Sequence, residues 1–167
     1  QDYILKEDVY IIVTRGGWIK RQRSYSDLST IRVREGDEVG WVMRASTRSC
    51  LVLFSDRGQA YTMLVNKVPN TTGYGDPVQR HFEFQDGEQI VGVAVNDARS
   101  MPIPVAPPEV QSALPFDGEP EVSDAEPICH LIAVSRAGQT LCLPLQAYET
   151  PSTVNGRLYI DTDTANW

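Results

Sequence analysis

The 167 residues of this chain carry a formal net charge of −7, and 41% of them are hydrophobic. This composition fits a folded domain with a core, and it excludes a membrane helix because no apolar run approaches the ~18 residues that such a helix needs. The acidity is local: residues 1–100 contain 13 Lys and Arg against 13 Asp and Glu, whereas residues 101–167 contain two Arg against nine acids.

Three stretches share one pattern: a run of β-formers, a hydroxyl residue, two further residues and a glycine. They are VYIIVTRGGWIKR with Gly17, CLVLFSDRGQAYTM with Gly58, and HLIAVSRAGQTLCL with Gly138. Such runs on either side of a glycine are typical of a β-hairpin, because glycine takes the positive φ of a tight turn without steric cost. The hydroxyl can hydrogen-bond locally and begin the turn. The sequence therefore predicts three hairpins.

Further strand candidates, Glu38–Met43 and Gln89–Val95, each follow a turn signal, and no long amphipathic helix is visible, so the predicted fold class is all-β. The three glycines are 41 and then 80 residues apart. A ~40-residue period of short strands fits propeller-like blades. We expect one domain over residues 1–167, with blades at about 7–48, 49–100 and 128–160.

The second distance between glycines, 80 residues, is about twice the period and has two explanations: a degenerate blade near Ala98 or an insertion. We favour the insertion. Residues 101–127 contain seven prolines and six acids without strand alternation, which predicts an irregular or disordered loop. The chain starts at Gln1 without a signal-peptide pattern, and we expect a fragment of a longer protein.

No catalytic or metal site is predicted. Cys50, Cys129 and Cys142 lack metal-type spacing, and their odd number argues against a disulfide framework. His81 and His130 have no set of ligands at metal-binding spacing. Since no nucleophile and base pair is visible either, no catalytic residue, metal or cofactor is assigned.

Taken in order, EDVYIIVTRGGWIKR, SCLVLFSDRGQAYTMLVNKVP and GYGDPVQRHFEFQDGEQIVGVAV resemble the blades of the C-terminal domain of the A subunit of bacterial type IIA topoisomerases, gyrase and topoisomerase IV. HLIAVSRAGQTLCLPLQAYETPSTVNGRLY resembles them more weakly. The resemblance covers residues 7–100 and 127–160. It implies a β-pinwheel, a propeller-like disc whose blades exchange strands. Because the family's domain has more blades, we expect a partial or shortened disc.

The resemblance also implies a function. It implies a non-catalytic domain that binds double-stranded DNA on a basic rim, bends or wraps it, and presents it for strand passage. The implied partners are the ATPase B subunit of an ATP-dependent topoisomerase and the rest of its A subunit. No association with a membrane is implied. The implied location is the bacterial cytoplasm, in association with the nucleoid.

The chain departs from the family pattern in two places. Where gyrases carry an arginine-glycine box, residues 29–40 keep Arg32, Arg34 and Gly36 without the cluster. This departure favours topoisomerase IV or a divergent gyrase over a strongly wrapping one. Thr140–Pro144 replaces a stretch where the family has lysines, so the third blade should contribute little to DNA binding.

Nine basic residues are candidates for DNA-phosphate contacts, because Lys and Arg on a convex surface neutralise phosphates without reading sequence. Each could instead be a solvated residue of a strand edge or turn. Alternation along the strand should place Lys20 on one face and Arg21 and Arg23 on the other. The candidates are Lys20, Arg21, Arg23, Arg32, Arg34, Arg15, Arg57, Lys67 and Arg80.

Trp18, Tyr61 and Leu141 occupy equivalent places after their turn glycines. Duplex DNA offers no unstacked bases for aromatic side chains, so we assign these three residues to core packing.

The alternative function is a propeller-like protein-interaction module that has lost DNA binding. The net charge of −7 and the missing box favour it, whereas the basic residues of the first blade favour DNA. The acidic insertion 101–127 is either a solvated linker or a mimic of DNA that competes for the basic rim.

Overall fold

The computed structural model describes residues 3–97 and 129–161, so the acidic insertion at 101–127 lies outside the described residues. The described strands form two four-stranded antiparallel sheets and one separate hairpin. Four short 3₁₀ helices connect them: Leu28–Thr30, Val65–Lys67, Val78–Arg80 and Leu145–Tyr148. The all-β prediction is confirmed.

Both sheets have the same arrangement, a hairpin flanked on one side by a later strand and on the other by a two-residue strand. The first contains β1 (Asp8–Thr14), β2 (Trp18–Gln22), β3 (Val39–Ser46) and β6 (Asp76–Pro77), in the order β3-β1-β2-β6. The second contains β4 (Cys50–Ser55), β5 (Gln59–Leu64), β7 (Ile90–Val95) and β10 (Arg157–Leu158), in the order β10-β5-β4-β7. The separate hairpin pairs β8 (His130–Val134) with β9 (Thr140–Pro144).

All three predicted hairpins are present, and they share one turn chemistry. In the first, the Thr14 carbonyl accepts the Gly17 N–H at 3.1 Å, and the Thr14 hydroxyl oxygen accepts the Trp18 N–H at 3.0 Å. The same two bonds recur at Ser55 and at Ser135. The three turn glycines have φ between +78° and +83°. The repeated sequence pattern therefore encodes a repeated turn.

The two-residue strands are exchanged between repeats. β6 follows the second hairpin in the chain but pairs with β2 of the first, with Ile19 opposite Asp76. β10 follows the third hairpin but pairs with β5 of the second, with Ala60 opposite Arg157. Each sheet is thus completed by the next repeat along the chain, as the resemblance implied, and neither sheet comes from one continuous stretch.

A positive-φ glycine precedes each exchanged strand and lies against the strand that receives it. Gly75 has φ +85°, and a Cβ on it would collide with the Ile19 carbonyl oxygen. Gly156 has φ +70°, and a Cβ there would lie 2.9 Å from the Ala60 carbonyl oxygen. Only glycine allows this approach of two backbones.

The second sheet lies between the other two repeats and packs on both of its faces. On one face, Leu51, Leu53 and Tyr61 share a core with Ile11 and other residues of the first sheet. On the opposite face, Val52, Phe54, Ala60 and Ala94 pack with Leu145 and Tyr148. At the ends of the first two hairpins, the turn residues Arg15, Gly16, Asp56 and Arg57 remain exposed.

The three residues assigned to the core from their place after the turn glycines differ in burial. Tyr61 is 1% exposed, and its hydroxyl donates to Glu88 Oε1 at 2.8 Å. Burial and the Glu88 carboxylate raise the pKa of the Tyr61 phenol well above its usual value. Trp18 and Leu141 are only half-buried.

Candidate nucleic-acid interface

Two arginines at the turn end of the first sheet lie over tryptophan rings. Arg15, at the tip of the β1–β2 hairpin, has its Cζ atom 4.7 Å from the centroid of the Trp41 ring in β3. Arg34, in the loop before β3, has its Cζ atom 4.8 Å from the centroid of Trp18, the first residue of β2. Both arginines are exposed, and both tryptophans are half-buried.

These two arginines line one open depression with a volume of about 600 Å³. Trp18 lies on its wall. Three carboxylates also line it, those of Glu35, Asp37 and Glu38. The depression therefore contains both positive and negative side chains. Whether it can bind an anion depends on which of these side chains already have partners within the fold.

Asp37 is engaged within the fold. Its Oδ1 accepts the Gly16 N–H and the Glu38 N–H, each at 2.8 Å. Burial opposes ionisation, but the nearby Thr14 hydroxyl, these two N–H groups and the charge of Arg34 outweigh it and hold the pKa of Asp37 below its usual value. A Cβ at Gly16 would lie 2.7 Å from Asp37 Oδ2, so a larger residue there would push the Asp37 side chain aside. The carboxylate joins the first hairpin turn to the loop that carries Arg34.

The structure places Lys20, predicted as a phosphate contact, inside the fold. The residue is 1% exposed, and its Nζ donates to the carbonyls of Arg32 and Gly73, each at 2.7 Å. Burial, and then the charge of Arg32, lower the pKa of the Lys20 ammonium. In this position two segments of backbone enclose Nζ, which argues against a contact with a phosphate.

Arg21 is also used inside the fold. It is half-buried, its Nε donates to the Val68 carbonyl at 2.8 Å, and its Nη2 contacts the Asn66 carbonyl at 3.4 Å. Its side chain ties β2 to the segment that follows the second hairpin. Lys20 and Arg21 therefore hold structure and are left out of the candidate interface.

Arg23 and Arg80 are exposed but have carboxylate partners. Arg23 forms a 2.8 Å ion pair with Glu7, and its side chain is 72% exposed. Arg80 forms a 2.8 Å ion pair with Asp76 of β6, and its side chain is 67% exposed. Exposed pairs of this kind contribute about 0–1 kcal/mol, so a phosphate can compete with the carboxylate.

The remaining predicted cations, Arg32, Arg57 and Lys67, are all exposed. Arg57 lies at the tip of the second hairpin, and Lys67 ends a 3₁₀ helix. The structure thus places the first two hairpin tips, with Arg15 and Arg57, on the surface but does not gather the nine predicted residues into one cluster.

The sequence prediction missed other exposed cations: Lys6, Arg44, Arg48, Arg136 and Arg157. Arg136 follows Ser135 as Arg15 follows Thr14, so alignment of the repeats could have found it. Arg157 is held by the Ala147 carbonyl and the Thr150 hydroxyl. No local pattern marked the others.

Residues 3–97 and 129–161 contain no group of three or more His, Cys, Asp or Glu placed to hold a metal ion. None of their helices is long and apolar enough to cross a membrane.

The chain is similar in sequence to A subunits of type IIA topoisomerases. It is 33% identical over 91 residues to the A subunit of DNA topoisomerase 4 from Caulobacter vibrioides, covering 54% of this chain and 12% of that protein. It is 32% identical over 109 residues to the A subunit of DNA gyrase from Haloquadratum walsbyi, covering 59% of this chain and 13% of that protein. No family model matches. The chain thus spans about an eighth of these relatives.

Solved structures share the fold over nearly the whole chain. The E. coli ParC C-terminal domain matches 91% of this chain and 50% of its own, with a TM-score of 0.64 and 14% identity. A C-terminal domain of DNA topoisomerase IV matches 92% of this chain and 42% of its own, with a TM-score of 0.65 and 19% identity. The homologues of this chain are therefore topoisomerase IV and gyrase A subunits over about half of its length, and its fold is the β-pinwheel.

Proposed function

We propose that this chain is a DNA-binding and DNA-bending module of the A subunit of a type IIA topoisomerase, which presents a duplex for strand passage. The observation that carries the proposal is its homology to topoisomerase A subunits, combined with a fold shared with their C-terminal domains. In the parent enzyme the catalytic groups lie elsewhere, and this module holds no cofactor.

The mechanism is electrostatic. Arg15, Arg34 and Arg57 are exposed on turns and loops at the periphery of the stacked sheets. Guanidinium groups bind phosphates bidentately and release counterions from the duplex. Contacts on a convex surface favour a curved duplex, because bending brings more phosphates within reach. The curved DNA would then be presented for strand passage by the parent enzyme, whose other parts are the rest of the A subunit and the ATPase B subunit. This would take place in the nucleoid of a bacterial cytoplasm.

Neutralising the three exposed arginines of these turns and loops, Arg15, Arg34 and Arg57, should weaken DNA binding similarly for all sequences. In a variant with Arg15→Gln, Arg34→Gln and Arg57→Gln, the slope of log K against log salt should flatten by up to ~0.9 for each phosphate that is no longer neutralised. The measurement is fluorescence anisotropy with a linear duplex at several salt concentrations. A stronger loss for one DNA sequence than for another would contradict a contact made only with phosphates.

The matched control is Arg136→Gln, compared with the single variant Arg15→Gln, because both remove one charge from equivalent turn positions of the third and first hairpins. The third blade carries Thr140–Pro144 in place of lysines, so this variant should keep the wild-type affinity and slope. An equal loss in the control would mean that net charge, rather than position, sets the affinity.

The alternative function, a protein-interaction module that has lost DNA binding, is favoured by one observation. Arg23, Arg44 and Arg80 each have a carboxylate partner within 3.1 Å, so part of the basic surface is neutralised within the chain. A gel shift with duplex DNA at two salt concentrations separates the two functions. Absence of binding at the lower salt concentration would favour the alternative.

A further inference from the structure

The two tryptophans under the arginines are firmly anchored in the first sheet. Trp18 is the first residue of β2. Its backbone N–H donates to the Thr14 hydroxyl oxygen, and it pairs with Pro77 of the exchanged strand β6. Trp41 lies in β3 opposite Val13 and packs against the core. The backbone of each tryptophan is therefore held by a strand, and the Trp41 ring also packs on the core, although the arginine above each ring belongs to a turn or a loop.

A guanidinium that stacks on an indole keeps its donor edges available. The stacking uses the face of the planar cation, whereas phosphate binding uses the N–H groups in its plane. Trp offers the best aromatic face for a cation, and the contact limits the rotamers that an exposed arginine samples. An arginine held in this way loses less conformational entropy when it binds an anion.

We propose that Trp18 and Trp41 are positioning residues for DNA binding, which hold Arg34 and Arg15 with their donor edges ready for the phosphates of one duplex. The inference rests on the proposed function and deepens it, because it assigns a role to residues that themselves contact no DNA base. It differs from the sequence-based assignment of Trp18 to core packing alone.

The carboxylates in the same depression act against this role. Asp37 is occupied by two backbone N–H groups, whereas Glu35 and Glu38 are exposed. Their charges reduce the local attraction for a polyanion. Replacing them with Gln keeps their size, so the double variant Glu35→Gln, Glu38→Gln should bind a duplex more tightly at low salt, and anisotropy at two salt concentrations will check it. An unchanged affinity would show that the depression does not face the DNA.

The central test replaces the platforms and leaves the arginines in place. Trp18→Leu and Trp41→Leu should each weaken duplex binding about 2- to 5-fold, the range expected for one exposed cation–π contact. The salt slope should stay close to the wild-type value, because no charge is removed. Trp41→Phe should restore part of the affinity, since it returns an aromatic face. Tyr74→Leu, a change at an exposed aromatic residue for which no arginine contact is described, is the control and should bind normally.

Two arms keep the result interpretable. If a Trp→Leu variant does not fold, Trp18→Met or Trp41→Met replaces it: the flexible methionine has no aromatic face and should show the same weaker binding with an unchanged salt slope. Duplex binding should also change the tryptophan fluorescence of the wild-type chain. If the wild type binds no duplex, the proposed function fails. If the wild type binds, and the folded Trp→Leu or Trp→Met variants bind as tightly as the wild type, the positioning role is overturned while the function stands.

Discussion

Replacing Lys20 with methionine should lower the free energy of unfolding by about 1–3 kcal/mol, the usual cost of leaving buried acceptors without a donor. Methionine fills a similar volume but removes the ammonium that joins the carbonyls of Arg32 and Gly73. Urea unfolding measures the loss. At temperatures where the variant is folded, its duplex affinity and salt slope should equal those of the wild type, because Nζ is enclosed by backbone.

Arg23→Met is the matched control for Lys20→Met. Arg23 belongs to the same basic cluster of the sequence, but its side chain is 72% exposed and its ion pair with Glu7 is at the surface. The change should cost less than about 1 kcal/mol. A folded Lys20→Met variant with a reduced salt slope would show that Lys20 meets DNA after all.

The lowered pKa of Lys20 gives this test a pH dependence with a defined sign. Burial places the pKa of the ammonium below its unfolded value of 10.5. Between the two pKa values the unfolded chain binds more protons than the folded chain, so folding stability rises with pH in that window. The stability of the wild type relative to Lys20→Met should therefore increase as the pH approaches 10.5, as measured by urea unfolding at several pH values.

The second large effect is expected at the glycine that precedes the first exchanged strand. Gly75→Ala should cost more than about 2 kcal/mol, because the residue has φ +85° and its new Cβ would collide with the Ile19 carbonyl and lie 2.8 Å from Lys20 Cβ. Since Ile19 is the residue that pairs with Asp76, the collision would displace β6 from the first sheet. Urea unfolding with the linear-extrapolation analysis measures the cost.

Gly36 and Gly87 provide matched controls for Gly75. Both have a positive φ, +80° and +75°, but a Cβ on either meets nothing within 4 Å. Gly36→Ala and Gly87→Ala should therefore cost only the conformational strain, roughly 1–2 kcal/mol. If Gly75→Ala costs no more than these controls, close packing of the exchanged strand contributes nothing to stability.

The hairpins could be predicted from sequence because their information is local. A hydroxyl residue, two intervening residues and a glycine contain every group that the turn uses, and the structure has the same two hydrogen bonds at Thr14, Ser55 and Ser135. The exchanged strands could not be located in this way. Asp76–Pro77 and Arg157–Leu158 have two residues each, too few to show any alternation, and their positions depend on partners far away in the chain.

In the candidate interface, too, some features follow from local sequence, whereas others depend on residues that are distant in the chain. Strand alternation predicts that Lys20 and Arg21 lie on opposite faces of β2, but it does not say which face another segment will cover. Lys20 is buried because residues 32 and 73 converge on it, and these lie 12 and 53 positions away. The pairing of Arg34 with Trp18 likewise joins a loop to a strand. Neither contact leaves a local pattern in the sequence.

The sequence by itself determined the all-β class, the three hairpins and their turn chemistry, since each of these depends on residues within a few positions of one another. The tertiary structure alone decided which basic residues are available to a partner. The sequence did not distinguish among the nine candidate basic residues. In the structure, Lys20 and Arg21 donate to backbone carbonyls, whereas the exposed Arg15 and Arg34 lie over tryptophan rings. The physical reason is that a cation's availability depends on the acceptors that folding brings to it, and those acceptors come from distant segments of the chain.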